Sequence, residues 1–207
     1  MFNLDQHLLS WIIFLPLVGV VALMVVPRLS NAASRGIAMI VLLADFVLSL
    51  RLLQGFEAIA GMQFVERVDW LPAYGISYWL GVDGISLWLV LLTTFLGPII
   101  VLSTYSAVVE RVREFMIFFL LLQTAMLGTF CAQDLVLFYV FWEAVLLPMA
   151  LMIGIWGGQR RIYASVKFVL YTMVGSVLML AGVLYLYGQA GSFSIEAIRQ
   201  LTLSGTE

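Results

Sequence analysis

The sequence predicts an all-α polytopic membrane protein with six transmembrane helices, and three observations lead to this class. Hydrophobic residues make up 63% of the 207 residues, charged residues make up 11%, and the mean hydropathy is +1.09. Soluble domains carry about 25% charged residues, so this composition is typical of a chain that lies in a bilayer. The apolar residues also occur in continuous runs, which favour helices over the alternating strands of a membrane β-barrel.

Six apolar runs are long enough to cross a hydrocarbon core of roughly 30 Å, which takes about 20 helical residues. We predict a single transmembrane domain over residues 1–207, with spans at about 9–26, 37–53, 85–105, 115–130, 135–156 and 162–187. The first run is not a cleaved signal peptide, because the residues before it contain an acid and no Lys or Arg, and no small-residue cleavage site follows.

The linker between the second and third spans, residues 54–84, is much longer than the others and is predicted to be an outer loop. Its stretch "DWLPAYGISYW" contains four aromatic residues, Trp70, Tyr74, Tyr78 and Trp79. We therefore expect an ordered loop that packs over the outer ends of the helices, in preference to an unstructured linker. Asp83, in "GVDGIS", fits an N-cap for the third span, and this structural role is preferred to a functional one.

The arginines predict the orientation of the chain. Six crossings put both termini on one side, and the short linkers on the opposite side hold Arg28, Arg35, Arg111, Arg113, Arg160 and Arg161. Acidic residues dominate the side that holds the termini. Because Lys and Arg in short loops mark the cytoplasmic side, we predict a multi-pass protein whose short linkers face the cytoplasm and whose termini both face out, which in a bacterial inner (plasma) membrane is the periplasmic side.

Composition also excludes several functions. A net charge of −2 offers no basic surface for nucleic acid, and a soluble enzyme is excluded by the hydropathy. With one cysteine, Cys131, and one histidine, His7, neither a disulfide nor a metal, haem or iron–sulfur site is expected in this chain. The sequence contains no P-loop, dinucleotide motif or nucleophile–base pair.

Three ionisable residues fall within the predicted spans: Asp45, Glu143 and Lys167. Each costs about 2.5–3.5 kcal/mol near a helix centre, so such groups usually face a bundle interior or a wet cavity and are functional candidates. For Asp45 we prefer a structural interpretation. It is expected to bond to a neighbouring helix or to lie at an interface with another chain.

Glu143 is the strongest candidate, since it lies about eight residues, or ~12 Å, from the outer end of the fifth span. Removal from water penalises the charged form of the Glu143 carboxyl, whereas a nearby cation favours that form. A cation that moves toward or away from Glu143 can therefore drive proton release and uptake. The alternative is a permanently protonated Glu bonded across helices. Pro148 has no N–H and leaves the carbonyl of Ala144 without its helical partner, which predicts a polar spot at this depth. A plain packing kink is the alternative for the proline.

Lys167 is expected to share one helix face with Tyr163 and Tyr171, four residues to either side. This stripe could hold water and pass protons, or Lys167 could extend to the headgroups as a snorkelling lysine. Glu143 is ~18 Å from the inner helix ends and Lys167 is ~8 Å from them. We therefore predict no close Glu143–Lys167 ion pair, and a partner for Glu143 that lies outside this sequence.

The run "FYVFWEAVLLPMALMIGIWGGQRRIYASVKFVLYTMVGSVLML" closely resembles the antiporter-like membrane subunit M (chain 4) of NADH–quinone oxidoreductase, respiratory complex I. "GVDGISLWLVLLTTFL" is similar to the third helix of that family. The resemblance implies about fourteen helices with two inverted repeats, and proton transfer along an axis of Lys and Glu. It implies that Glu143 is the key glutamate of helix 5, whose usual partner is a lysine on helix 7. Lys167 matches helix 6 and is the second candidate catalytic residue.

The sequence ends at Glu207, after six spans, so we expect the N-terminal portion of such a subunit, either as a fragment or as a truncated product. The resemblance implies that other membrane-arm subunits are partners, and that NADH, quinone, flavin and iron–sulfur clusters are bound by partner subunits. No redox chemistry is expected in this chain itself. Two alternatives stay open: a subunit of a Mrp-type Na⁺/H⁺ antiporter or membrane-bound hydrogenase, and a structural assembly scaffold.

Overall fold

The computed structural model describes residues 7–57, 59 and 61–201, and six of the helices in this part are long and apolar enough to cross a membrane. They are α1 (Leu8–Val25), α2 (Asn31–Gly55), α3 (Ser86–Ala107), α4 (Val112–Cys131), α5 (Leu135–Trp156) and α6 (Arg161–Ala190). A short helix, α7 (Ile195–Arg199), follows. The predicted six-helix membrane architecture is confirmed, although α2 begins earlier than the predicted residue 37 and α6 extends beyond the predicted residue 187.

Helix α4 lies at the centre of the bundle and packs against α1, α2, α3 and α5, whereas α6 packs against α5. Two apolar clusters fill the interior, one toward each end. The first is built around Leu9, Ile12, Leu80, Leu127 and Cys131. The second is built around Leu42, Val101, Met116 and Leu120. The side of α5 and α6 away from α4 stays uncovered, since only 17% and 11% of their apolar windows are buried.

The long linker folds into a β-hairpin, which the sequence analysis did not predict. Strand β1 (Gln63–Leu71) pairs antiparallel with β2 (Ile76–Val82), and a turn that includes Pro72–Tyr74 joins them. The apolar residues of β1 do not alternate strictly, and the pairing register shifts at both ends of the strand, so the sequence pattern was weak. The hairpin covers the end of the bundle where α1, α3 and α5 begin, called here the hairpin end.

The aromatic residues of the stretch "DWLPAYGISYW" differ in environment. Tyr78 packs against the apolar cluster at the hairpin end, and Trp79 carries the guanidinium of Arg67 at 4.3 Å from its ring. Trp70 and Tyr74 are exposed. Each strand of the hairpin therefore brings an aromatic side chain to the helices, since Phe64 of β1 packs against the same apolar cluster as Tyr78 of β2.

Main-chain hydrogen bonds connect three segments at the hairpin end. The N–H of Gln133 donates to the carbonyl of Trp79 at 2.8 Å. The N–H of Leu135 donates to the carbonyl of Phe193 at 2.9 Å, and the N–H of Ile195 donates to the carbonyl of Gln133 at 3.1 Å. Strand β2, the turn between α4 and α5, and the segment between α6 and α7 are thereby joined through backbone atoms.

Arginine side chains connect the opposite end, called here the short-turn end. Three of them donate to carbonyls at the C-terminal ends of α1, α3 and α5. The bonds run from Arg113 to Met24 (2.9 Å), from Arg35 to Val108 (2.6 Å) and from Arg161 to Ile155 (2.7 Å). A cation at a helix C-terminus satisfies an orphan carbonyl and matches the helix dipole. The arginines that mark one membrane side in the sequence therefore also cap helices.

Asp83 forms the cap that the sequence predicts at the start of α3. Its Oδ1 accepts the N–H groups of Ile85 at 3.0 Å and Ser86 at 2.8 Å. The hydroxyl of Ser86 in turn accepts the N–H of Asp83 at 2.8 Å. The backbone bond from Ser86 is the main reason that the pKa of Asp83 lies below its usual value.

Candidate functional site

Helix α5, which carries Glu143, starts at a fully satisfied cap. Asp134 is 2% exposed, and its Oδ1 accepts the N–H groups of Val136 at 2.9 Å and Leu137 at 3.2 Å. Its Oδ2 accepts the N–H of Ser77 in β2 at 3.1 Å. Since Glu143 lies eight residues beyond Leu135, the cap fixes its depth at ~12 Å from the start of the helix.

Glu143 lines a cavity of about 280 Å³ between α4, α5 and α6. The lining is mostly apolar and includes Met126, Phe130, Leu146 and Met149. The Oε1 atom of Glu143 is buried and makes no hydrogen bond to any residue that the structure describes. The cavity is far larger than a single water molecule requires, so a water-filled space beside the carboxyl is sterically possible.

Three hydroxyl groups share this cavity: Thr129 of α4, and Thr172 and Ser176 of α6. Each donates its hydrogen to a carbonyl of its own helix. The bonds run from Thr129 to Ala125 (2.9 Å), from Thr172 to Phe168 (2.7 Å) and from Ser176 to Met173 (3.1 Å). Their oxygen lone pairs remain available. The cavity therefore offers acceptors to a protonated Glu143 or to water.

Tyr139, one turn before Glu143 on α5, was missed by the sequence analysis. Its hydroxyl interacts with both Glu143 and Ser176, and so connects α5 with α6 beside the cavity. The spacing of four residues between Tyr139 and Glu143 is the signal that could have identified it.

Pro148 is buried inside α5, and the helix continues through it to Trp156. Its missing N–H leaves the carbonyl of Ala144 without a helical partner. Ala144 lies on an exposed side of α5, whereas Glu143 and Val145 line the cavity. The unpaired carbonyl and the carboxyl thus share a depth, as expected, but belong to residues on different sides of the helix.

Lys167 lies on the exposed surface of α6 and not in the Glu143 cavity, which its neighbour Phe168 lines. Its Nζ is 5.9 Å from the ring centre of Tyr163 and 5.7 Å from that of Tyr171, so the predicted Tyr–Lys–Tyr stripe is present. Over residues 7–57, 59 and 61–201 no ion pair joins Glu143 to Lys167. This matches the expectation that they are not close partners.

Asp45 lies in the interior of the chain's own bundle. It is 0% exposed, and it projects from α2, which packs against α3 and α4. The side-chain amide of Gln123 in α4 lies beside its carboxyl. Of the two structural locations expected for Asp45, the structure therefore supports the contact with a neighbouring helix.

Two family models match consecutive parts of the chain. Residues 8–129 match the family described as NADH-ubiquinone oxidoreductase chain 4, amino terminus. Residues 132–206 match the family described as NADH:quinone oxidoreductase/Mrp antiporter, TM.

Curated relatives agree with this match. NADH-quinone oxidoreductase subunit M of Rhodobacter capsulatus is 51% identical over 195 residues, which cover 92% of this chain and 38% of that protein. NADH-ubiquinone oxidoreductase chain 4 of Marchantia polymorpha is 41% identical over 192 residues, which cover 92% of this chain and 39% of that protein. The chain thus spans about two fifths of the length of these relatives.

Solved structures share the fold. A chain of respiratory complex I from Thermus thermophilus with bound NADH superposes with a TM-score of 0.78 and 31% identity, over 95% of this chain and 40% of that one. A chain of the archaeal membrane-bound sulfane sulfur reductase superposes with a TM-score of 0.76, but its 18% identity shows the fold alone. On the strength of the family match over residues 8–129 and of the relative named subunit M in Rhodobacter capsulatus, this chain belongs to the NADH-ubiquinone oxidoreductase chain 4 family.

Proposed function

We propose that this chain forms part of a proton-translocating membrane-arm subunit of NADH–quinone oxidoreductase. In this proposal Glu143 gains and loses a proton, while other subunits oxidise NADH and reduce quinone. The observation that carries the proposal is the Glu143 carboxyl, which has a buried oxygen without a hydrogen-bond partner among the described residues and opens on a cavity. Membership in the chain 4 family supports it.

The arrangement around Glu143 suits proton transfer chemically. A protonated carboxyl can donate to the hydroxyl oxygens of Thr172 or Ser176, which have already donated their own hydrogens to backbone carbonyls. An ionised carboxylate has no cation beside it within the described residues, so a cation from elsewhere in the assembled protein is needed to stabilise the charge. The charge state of Glu143 thereby depends on a neighbour whose position can change.

Lys167 has a secondary role in the proposal. It lies on the exposed side of α6 with Tyr163 and Tyr171 on either side. From there it can exchange protons with groups that pack on α6, but not directly with Glu143. A snorkelling lysine is the structural alternative, and it predicts that Lys167→Arg retains full activity, since Arg also snorkels.

The proposal includes an orientation and partners. The short-turn end carries the arginines that cap α1, α3 and α5, which supports a cytoplasmic location for that end and a periplasmic location for the hairpin. Helices α5 and α6 leave most of their apolar surface uncovered, which supports contacts with further membrane helices. In this proposal flavin and iron–sulfur clusters belong to partner subunits.

The decisive experiment is Glu143→Gln in the full-length subunit assembled in its complex. A relaying acid typically contributes about 10² or more to a rate, so we expect at least about a tenfold loss of proton pumping and of coupled quinone reduction. Glu110→Gln, which changes an exposed glutamate at the short-turn end, is the matched control and should leave both rates unchanged. Unchanged pumping in Glu143→Gln would disprove the proposal.

The description of the second family match also includes Mrp antiporters, which favours Na⁺/H⁺ exchange as the second candidate. The two functions differ in their energy source. Proton transfer that requires NADH and quinone supports the oxidoreductase, whereas Na⁺-driven proton movement without NADH supports the antiporter. A static scaffold predicts that Glu143 keeps one protonation state throughout turnover, which infrared difference spectroscopy can measure.

A further inference from the structure

We propose that Asp45 is a proton-binding site inside the bundle of α2, α3 and α4, protonated at neutral pH and separate from the Glu143 cavity. This inference does not depend on the proposed function. It rests on the burial of Asp45, on the hydrogen-bonding groups around it and on the charges that its neighbouring helices carry.

Asp45 is deeply buried. It lies ten residues before Gly55, or ~15 Å from the hairpin end of α2, and is 0% exposed. Both of its carboxyl oxygens are buried and make no hydrogen bond of ordinary geometry within the described part of the chain. A buried carboxylate without partners is among the most expensive groups in a protein interior, whereas a protonated carboxyl costs far less.

The polar groups nearest to Asp45 have few hydrogens to offer. Gln123 lies beside the carboxyl, but its Nε2 already donates to the carbonyl of Thr93 at 3.2 Å, which leaves at most one N–H for Asp45. An ionised carboxylate has about four acceptor positions and needs several donors. One amide N–H cannot satisfy it.

Two hydroxyl groups of α2 and α3 complete the cluster, and their hydrogens are also in use. Ser49, one turn after Asp45, has its Oγ 2.8 Å from the Oγ1 of Thr94. One of these hydroxyls donates to the other, and the second donates to a carbonyl of its own helix, either Phe46 for Ser49 (2.7 Å) or Val90 for Thr94 (3.1 Å). The cluster therefore contains more acceptors than donors, and a proton on Asp45 supplies the missing donor.

Pro98 in α3 adds one further acceptor to the region. Without its N–H, the carbonyl of Thr94 has no helical partner. The three helices approach closely here: a Cβ added to Gly97 would lie 3.2 Å from Leu42 and 3.4 Å from the Gln123 amide. Such close packing leaves little room for water to solvate a charge.

No cation faces Asp45 from the helices that pack on α2. Helix α1 contains no titratable residue, and α3 contains only Tyr105, near the short-turn end. Helix α4 carries its titratable groups at its two ends, in Arg113, Glu114 and Cys131. On α2 itself, Arg35 donates to the carbonyl of Val108 and Arg51 is exposed. Nothing in this set offsets a negative charge on Asp45.

The test is infrared spectroscopy of the full chain in lipid nanodiscs at pH 7, with aspartate labelled by ¹³C at the side-chain carboxyl. We expect a protonated-carboxyl band that shifts with the label and disappears completely in Asp45→Asn. Replacing Na⁺ in the buffer by choline should leave the band unchanged. The absence of a labelled protonated-carboxyl band would overturn the proposal. Loss of the band on addition of Na⁺ would also overturn it, because the site would then bind a metal cation.

The assignment can also be made if Asp45→Asn does not fold. The sequence contains four other aspartates, Asp5, Asp69, Asp83 and Asp134. Single Asn substitutions at these positions must each retain the band, and loss of the band in any one of them contradicts the assignment to Asp45. In Gln123→Leu the band should move to higher frequency, since the acid loses its neighbouring amide, and an unmoved band contradicts the proposed cluster.

Discussion

The Oδ2 atom of Asp134 accepts the backbone N–H of Ser77 at 3.1 Å, so a single carboxylate joins the β-hairpin to helix α5. The other oxygen of the same side chain caps α5. Because Glu143 lies on α5, its depth and the position of the hairpin depend on one buried residue. The contact thus connects helix α5, which carries Glu143, to the β-hairpin through two residues that are nearly sixty positions apart in sequence.

We expect Asp134→Ala to destabilise the chain by about 2 kcal/mol or more. Loss of an N-cap costs about 1 kcal/mol, and the buried N–H of Ser77 loses its partner at a further cost of about 1–3 kcal/mol. Thermal unfolding in detergent measures the change. Asp69→Ala, at an exposed position of β1, serves as the control and should leave the melting temperature nearly unchanged. Equal losses in the two variants would contradict the role of the cap.

Glu66→Ala should also lower the melting temperature, because Glu66 of β1 caps the start of α1. Its Oε1 accepts the N–H groups of Leu9 at 2.7 Å and Ser10 at 3.1 Å, and its Oε2 accepts the hydroxyl of Ser10. Each hydrogen bond to a charged group contributes about 1.5–3 kcal/mol. Glu66→Gln retains one acceptor oxygen for the N–H groups of Leu9 and Ser10 but loses the charge and replaces the second oxygen by an NH₂ donor, so we expect it to lose less stability than Glu66→Ala. The reverse order would show that the cap is not the stabilising feature.

Tyr78 should titrate at unusually high pH. Burial is the main cause that raises the pKa of its hydroxyl, the hydrogen bond with Ser10 lowers this pKa, and the nearby Glu66 charge raises it, with a net value of about 12. The neutral phenol is thus favoured in the folded chain. Its contribution to stability is fully present below pH 10 and is lost as the pH rises toward 12. Ultraviolet absorbance at alkaline pH, compared between the wild type and Tyr78→Phe, measures this titration, and a Tyr78 that ionises at its ordinary pH contradicts the prediction.

Gly128→Ala should separate α4 from α5. A Cβ at Gly128 would overlap the ring of Phe141, which is itself 8% exposed. Overpacking of this kind typically costs about 1–3 kcal/mol. Gly175→Ala in α6 is the matched control, because nothing lies within 4 Å of its added Cβ. That variant should be neutral or stabilised by up to about 1 kcal/mol through helix propensity. Thermal unfolding of both variants checks the opposite signs.

Features that depend on long apolar runs could be predicted from the sequence. The six helices, the cap formed by Asp83 and the tyrosines beside Lys167 all follow from local spacing, and the structure contains them. The depth comparison predicted no close Glu143–Lys167 ion pair, and none is present among the described residues.

Features that depend on contacts between distant segments could not be predicted. The hairpin has an irregular apolar pattern and is held by bonds to residues 132–134. Gln123 became relevant only because three helices bring it beside Asp45. Tyr139 was overlooked since a tyrosine in an apolar run is usually a packing residue, and its contact with Ser176 of α6 requires the fold.

The two ends of the bundle differ in how they respond to mutation. At the hairpin end, strand β2, the α4–α5 turn and the α6–α7 segment are joined by backbone N–H and carbonyl groups, which every residue except proline provides. At the short-turn end, the connections run through the side chains of Arg35, Arg113 and Arg161. The side chains of Gln133, Leu135 and Ile195 can therefore change without loss of these backbone connections, although Asp134 and Glu66 must keep their carboxylates. At the short-turn end, each connection is lost with a single arginine.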